Sequence, residues 1–331
     1  MCRHCQAAYE VRDGIVDLLV SPPDAVKREI QGLERFADVM RTDGWDGDRI
    51  RGLPGGVEHG YWFVQSEAMR QLLNRISFRP GDRLVDVGSN TCWASNVFAR
   101  LGLDVVALDI STVDLQGLGS AEHFLRSDEV YFERLLSLMS DPALADDSVD
   151  FAFCCQVLHH NRRPDLRKTF TEMQRILRPG GVLMVVNEPL RFPLRLKRDH
   201  GDEVAEFEGN ENVYFLHEYY LAARRAGFRV EIPAFTTVRN SLNASITEIP
   251  AGAGFWRTRR SIRRWAPGRW LLMALRFVRF CWRYVIRGDA NITLICTDAR
   301  LPRGSDPGRR EPGSAGFGQP TQVTSADVHL R

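Results

Sequence analysis

The chain has 331 residues, of which 44% are hydrophobic, and its 44 basic and 42 acidic residues leave a formal net charge of +2. This is the balance of a folded globular chain, long enough for one large domain with additions, and it argues against a protein devoted to nucleic acid. No apolar run approaches the ~20 residues that cross a bilayer, no secretory leader is evident, and the seven cysteines follow no secreted disulfide spacing, so a reducing, cytoplasmic setting is expected.

In chain order, residues 1–20 hold Cys2-Arg-His-Cys5, Tyr9 and Asp13-Gly-Ile-Val-Asp17. Residues 21–80 read as a helical cap: Asp24 to Met40, a Gly-rich break through Gly56, then Ser66 to Ile76. The stretch around which the chain is organised follows. Arg83 to Val87 is a short apolar strand that breaks at Gly88, and Cys92 to Arg100 carries apolar residues at helical spacing. Ser89, Asn90 and Thr91 all suit the N-cap of that helix. A second apolar run, Leu103 to Leu108, ends in Asp109, 21 residues after Gly88. Strand, glycine turn, helix, strand and acidic tip make the nucleotide-binding βαβ plan, in which the carboxylate takes a ribose. A dinucleotide favours three glycines at fixed offsets, but here Asn90 and Cys92 hold the next alternate positions and Trp93 the third. A ligand with a small amino-acid end and no pyrophosphate tolerates Asn90, which enters left-handed geometry readily.

Further on, Tyr131 to Ser140 should contain a third strand and Asp147 to Gln156 a fourth, followed by Val157-Leu-His-His160. Leu166 to Leu177 is an amphipathic helix, stopped by Arg178-Pro-Gly-Gly181 before a fifth strand that ends in Asn187-Glu-Pro189. Residues 191–212 read as a charged loop, Val213 to Ala226 as a helix, Phe228 to Thr237 as a sixth strand and Ile292 to Thr297 as a seventh. An insertion from about 240 to 288 separates the last two, and residues 300–331, rich in Gly, Pro and Ser, read as a disordered tail.

These signatures, in this order, resemble the class I S-adenosylmethionine-dependent methyltransferases, with the Gly-x-Gly-x-Gly turn kept only at its first Gly. The resemblance covers roughly residues 60–240 plus the last strand. It implies an α/β fold: a Rossmann-like, seven-stranded methyltransferase core over residues 81–299, with the N-terminal helical cap and a helical insertion before the last strand. It implies S-adenosyl-L-methionine as cofactor, held by Asp86, Gly88, Ser89, Asn90, Asp109 and Gln156, with Ile110 and Met139 as walls of an apolar adenine pocket. Family members use such N-terminal helices as a lid, to which Tyr61-Trp-Phe63 could add aromatic contacts, unless these are ordinary packing. Residues 1–20 resemble the second half of a zinc ribbon that heads some members. Two cysteines and His4 do not complete a four-ligand site, so no metal is assigned. The segment is either half of a ribbon or an apolar arm on the core.

Methyl transfer mainly aligns donor and nucleophile, and a base is needed only where the acceptor must lose a proton. His159, His160 and Glu188 are the candidates that the topology turns toward an acceptor. The histidines could equally shape the loop, and Glu188 could simply bond a backbone amide. The acceptor is expected to be a small molecule or lipid-linked. A non-catalytic scaffold on the same fold, and an NAD-dependent oxidoreductase, are the alternatives. From Phe255 to Gly288 there are ten Arg and no acidic residue. On a helix from about Arg269 to Arg287, arginines line one side and Leu271, Leu275, Val278, Trp282 and Val285 another. That pattern suits a helix lying on an anionic membrane surface at the inner face of the membrane, an apolar face packed on the core or, as a weaker third reading, contact with an anionic protein or nucleic-acid surface.

Overall fold

The computed structural model describes residues 8–55, 61–126, 130–191, 212–233 and 291–300, together with eight helical positions between 267 and 281. Cys2 to Cys5, the 191–212 loop apart from its two end residues, most of the insertion and the tail beyond 300 lie outside the described residues.

A nine-stranded mixed sheet forms the middle layer, two strands more than expected. Its strands are β1 (Glu10–Arg12), β2 (Ile15–Asp17), β3 (Arg83–Val87), β4 (Asp104–Asp109), β5 (Glu133–Leu136), β6 (Val149–Cys155), β7 (Leu177–Pro189), β8 (Phe228–Glu231) and β9 (Asn291–Asp298). The order is β1-β2-β5-β4-β3-β6-β7-β9-β8. The seven strands from β3 onward are those read from the sequence; β3 through β7 are parallel, and β9 runs antiparallel between β7 and β8. The additional pair is a hairpin from the N-terminal segment, whose second strand joins β5 in parallel through Ile15↔Arg134 to Asp17↔Leu136.

Alternation along the strands assigns each side chain to a face, as a period of two requires. Leu84, Phe153 and Met184 point into one apolar layer, under α1 (Asp24–Thr42), α3 (Tyr61–Leu73) and α4 (Trp93–Arg100). Val85, Cys154 and Val185 point into the other, under α6 (Arg163–Ile176) and α7 (Leu216–Arg225). The N-terminal helices are therefore more than a lid: Ala68, Met69, Leu72 and Leu73 of α3 are buried in the first layer. Two short helices, α2 (Gly47–Arg51) and α5 (Glu122–Leu125), complete the set; α2 falls inside the stretch expected as a glycine-rich break.

Several boundaries differ from expectation. The Arg178-Pro-Gly-Gly181 stop lies inside β7, where pairing jumps from Val149↔Leu177 to Phe151↔Val182. The sheet absorbs it as a bulge. A Cβ on Gly181 would meet the carbonyl oxygens of Arg178 and Asp150 at 2.9 Å, so the bulge needs a residue without a side chain there. The third strand ends at Leu136, and Met139 lies three residues beyond it, near Asn161. Asp146, Asp147 and Asp150 pair with Arg175, Arg300 and Arg178 at 2.6–2.8 Å, which ties the turns to the sheet.

Candidate active site

The strand order reverses at β3, between β4 and β6, so a crevice opens at the carboxyl ends of these strands. The turn after β3 is fixed by backbone geometry. Gly88 has φ +67, and its amide and that of Ser89 both donate to the Leu108 carbonyl, at 2.8 and 3.0 Å. A Cβ on Gly88 would lie 2.1 Å from Cγ2 of Val157, so the loop after β6 crosses directly over this residue. Asn90 (φ +44) and Cys92 (φ +58) are both left-handed. The N-cap of α4 is Cys92 and not Ser89, Asn90 or Thr91, and it caps without a side-chain bond. The second and third positions of the Gly-x-Gly-x-Gly turn thus keep left-handed backbone while carrying side chains.

Asp109 is the centre of this half. Its Oδ2 accepts the Asn90 amide at 2.8 Å, and Oδ1 accepts those of Ile110 and Ser111 at 2.8 and 3.0 Å. A carboxylate has about four lone-pair sites, so Oδ2 keeps one for a ligand hydroxyl. Burial pushes its pKa up to about 6, against the pull of the three amides. Ile110 is half-buried beside it. Asn90 also donates from Nδ2 to Gln116 at 2.9 Å. Asp86 is buried one turn below and accepts the Ser95 hydroxyl at 2.6 Å, joining β3 to α4; burial pushes it up to about 7. The Thr91 hydroxyl is buried with no hydrogen-bond partner at the entrance of α4, a polar atom that a ligand's small charged end would satisfy. Ser137, which follows β5 and donates its amide to the Asp109 carbonyl, is the residue that register sets beside Asp109; counting along the sequence had pointed past it to Met139.

The other half is built on Glu188, fully buried near the end of β7. Its Oε1 accepts the amides of Val157 and Leu158 at 2.8 and 2.9 Å, and its Oε2 accepts the amide and Nδ1 of His159 at 3.2 and 3.0 Å. All four lone-pair sites are used. These bonds tie the Val157–His159 backbone and the His159 ring to the end of β7. A carboxylate at Oε2 makes Nδ1 of His159 the protonated nitrogen, which leaves Nε2 as the basic one in the neutral ring. The His160 ring lies 4.3 Å from that of His159, and its Nδ1 comes within 3.0 Å of Glu29 on α1, an ion-pair distance that links the N-terminal layer to this loop. Gln156 is half-buried with φ +51 at the tip of β6.

Sequence reasoning missed the wall between these tips and α3. Gln65 Oε1 accepts Asn187 Nδ2 and Cys155 Sγ, both at 3.0 Å, while its buried Nε2 has no hydrogen-bond partner. Trp62 packs edge-on to Trp93 at 6.4 Å and against Trp45 at 6.1 Å. The signal was present: Gln65 is one polar residue in the buried row of Val64, Ala68, Met69 and Leu72. Among the described residues no cluster of His, Cys, Asp and Glu is disposed to hold a metal ion.

Residues 85–185 match the family model described as "Methyltransferase domain". Over 124 residues the chain is 28% identical to a malonyl-[acyl-carrier protein] O-methyltransferase of Serratia marcescens, covering 37% of this chain and 44% of that one. Over 128 residues it is 31% identical to a demethylmenaquinone methyltransferase of Renibacterium salmoninarum, covering 38% and 50%. The chain thus spans about half the length of these curated relatives. Among solved structures, Haemonchus contortus phosphoethanolamine N-methyltransferase 2, in complex with S-adenosyl-L-methionine, superposes with a TM-score of 0.52 at 16% identity, over 77% of this chain and 58% of that one. This likeness is one of fold. Sheet order, turn geometry and family match coincide on the same stretch of chain, residues 85–185.

Proposed function

We propose that the protein is an S-adenosyl-L-methionine-dependent methyltransferase acting on a small-molecule acceptor, and that lipid-linked acceptors are the class to test first. The observation that carries the reading is the Asp109 carboxylate, which accepts the amides of Asn90, Ile110 and Ser111 yet keeps one lone pair of Oδ2. The left-handed Asn90 and Cys92 answer the objection that lost glycines have abolished the site: the backbone path survives the substitutions.

When bound, the cofactor supplies a sulfonium methyl that is already electrophilic. Asp109 would hold the ribose hydroxyls and Ile110 would line the adenine side. The Thr91 hydroxyl and the entrance of α4 would take the amino-acid end. On the acceptor side, Trp62 and Trp93 give an apolar wall, and Gln65 Nε2 is a donor for an acceptor oxygen. Nε2 of His159 would take a proton from an acceptor hydroxyl as the new bond to carbon forms, with Glu188 holding the ring in place.

The test is thermal unfolding with S-adenosylmethionine, S-adenosylhomocysteine or NAD. At 100 times its dissociation constant a ligand stabilises by ~2.7 kcal/mol. A clear upward shift with the first two and none with NAD is expected. A shift with NAD alone would assign the site to an oxidoreductase, and no shift with any of the three would leave a scaffold.

A further inference from the structure

The exposed large apolar side chains of the described residues include one dense group. Trp270, Leu271, Leu275, Phe277 and Val278 lie within nine residues, and all are exposed, from 56% at Leu275 to 72% at Trp270. They are helical, as is Ala274 among them. Steps of three, four, seven and eight residues put them along one side of a helix. Such a face is ordinarily turned to a core, and here it is not.

The stretch also carries positive charge. In the sequence, Arg269, Arg276, Arg279 and Arg283 are interleaved with the apolar row and spaced from one another by three, four and seven residues. Residues 255–288 hold ten Arg and no acidic residue, while the rest of the chain has 34 basic against 42 acidic residues. Positive charge is concentrated where the apolar face is bare. A nucleic acid would meet the arginines but offers nothing to the Trp, Leu and Phe row. An anionic bilayer matches both, with lipid phosphates for the guanidinium groups and acyl chains for the apolar residues. Among the described residues no helix is long and apolar enough to cross a membrane.

We infer that the exposed apolar row from Trp270 to Val278, set in an arginine-rich stretch of sequence, is a docking surface for an anionic lipid bilayer. Docking stands apart from the proposed methyl transfer; only its use, bringing the crevice to a lipid-linked acceptor, rests on that reading.

The experiment is co-sedimentation of the full chain with phosphatidylglycerol/phosphatidylcholine vesicles and with pure phosphatidylcholine vesicles, at low and high salt. Two variants accompany it, Leu271→Gln/Leu275→Gln/Phe277→Gln and Arg276→Glu/Arg279→Glu/Arg283→Glu. Binding to the anionic vesicles is expected, weakened by salt and at least tenfold weaker in each variant. The cofactor-induced thermal shift, measured on all three proteins, shows that the variants are folded and reads the methyltransferase proposal separately. Wild-type protein left in the supernatant with anionic vesicles overturns the inference. So does unchanged binding by the glutamine variant, which would reduce the effect to surface charge. A salt-insensitive dimer in light scattering that the glutamine variant abolishes, without vesicle binding, would assign the face to a second copy of the chain.

Discussion

Two carboxylates at the same edge of the sheet show how alike residues diverge in role. Asp109, at the tip of β4, and Glu188, near the end of β7, are both buried and both collect backbone amides from the turn beside them. Asp109 accepts three hydrogen bonds and keeps a lone pair; Glu188 accepts four and keeps none. The first can serve a ligand, while the second serves only its own loop. Unused hydrogen-bonding capacity, and not residue type or position at the sheet edge, separates a binding group from a positioning one.

That contrast is breakable by mutation. The largest effect is expected from Glu188→Ala, which strands three buried amides and the His159 ring. At ~1–3 kcal/mol for each unsatisfied group the loss is about 4 kcal/mol or more, read as a lowered urea midpoint, with Glu188→Gln recovering part of it. If Glu188→Ala unfolds like the wild type, its role as the loop's anchor is wrong. Gly88→Ala comes next. Left-handed geometry costs ~1–2 kcal/mol and the overlap with Val157 a further ~1–3, so thermal unfolding should drop by several degrees, and Val157→Ala in the same chain should restore part of the loss.

Asp109→Ala removes a charged acceptor worth ~1.5–3 kcal/mol, or roughly ten- to a hundredfold in affinity for S-adenosylmethionine by calorimetry. Stability should suffer less than in Glu188→Ala, because one fewer bond is lost. Equal cofactor affinity in the two proteins would show that the spare lone pair of Asp109 is not used. The remaining effect is in pH. Burial lifts Asp86 from 3.8 to about 7 and Asp109 from 3.8 to about 6. Between these limits the folded chain keeps protons that the unfolded chain has lost, so the contribution is full below about pH 4 and fades as pH rises through the folded values. Asp86→Asn cannot ionise and still accepts from Ser95. In urea titrations from pH 4.5 to 8 it should gain on the wild type as pH rises, and a constant gap would show that Asp86 does not titrate there.

Most of the cofactor half was legible in the sequence because its signals are local. The apolar run of β3 was read to the residue, and that of β4 to within one; Gly88 and Asp109 were placed by spacing alone. At the other half, His159, His160 and Glu188 were singled out in the sequence, but the wall made by Gln65, Asn187 and Trp93 was not. Gln65 meets Asn187 from 122 positions away, a separation that no periodicity encodes. The N-cap at Cys92 was missed for a related reason: left-handed backbone at a cysteine is imposed by packing, where propensity favours its neighbours. The hairpin of β1 and β2 escaped because three-residue strands are too short for an alternating pattern.

That hairpin also decides how the molecule ends. β1 is only three residues long, wholly exposed, and carries Glu10 and Arg12 paired at 2.6 Å. Short, charged edge strands are poor templates for a second chain, whereas β5 without its partner would offer a longer row of open amides and carbonyls. Arg134 on β5, paired with Glu122, also donates to the Asp13 carbonyl of the hairpin turn. Proteolytic removal of residues 1–20 would lay open that edge, turning a poor template for a second chain into an adhesive one.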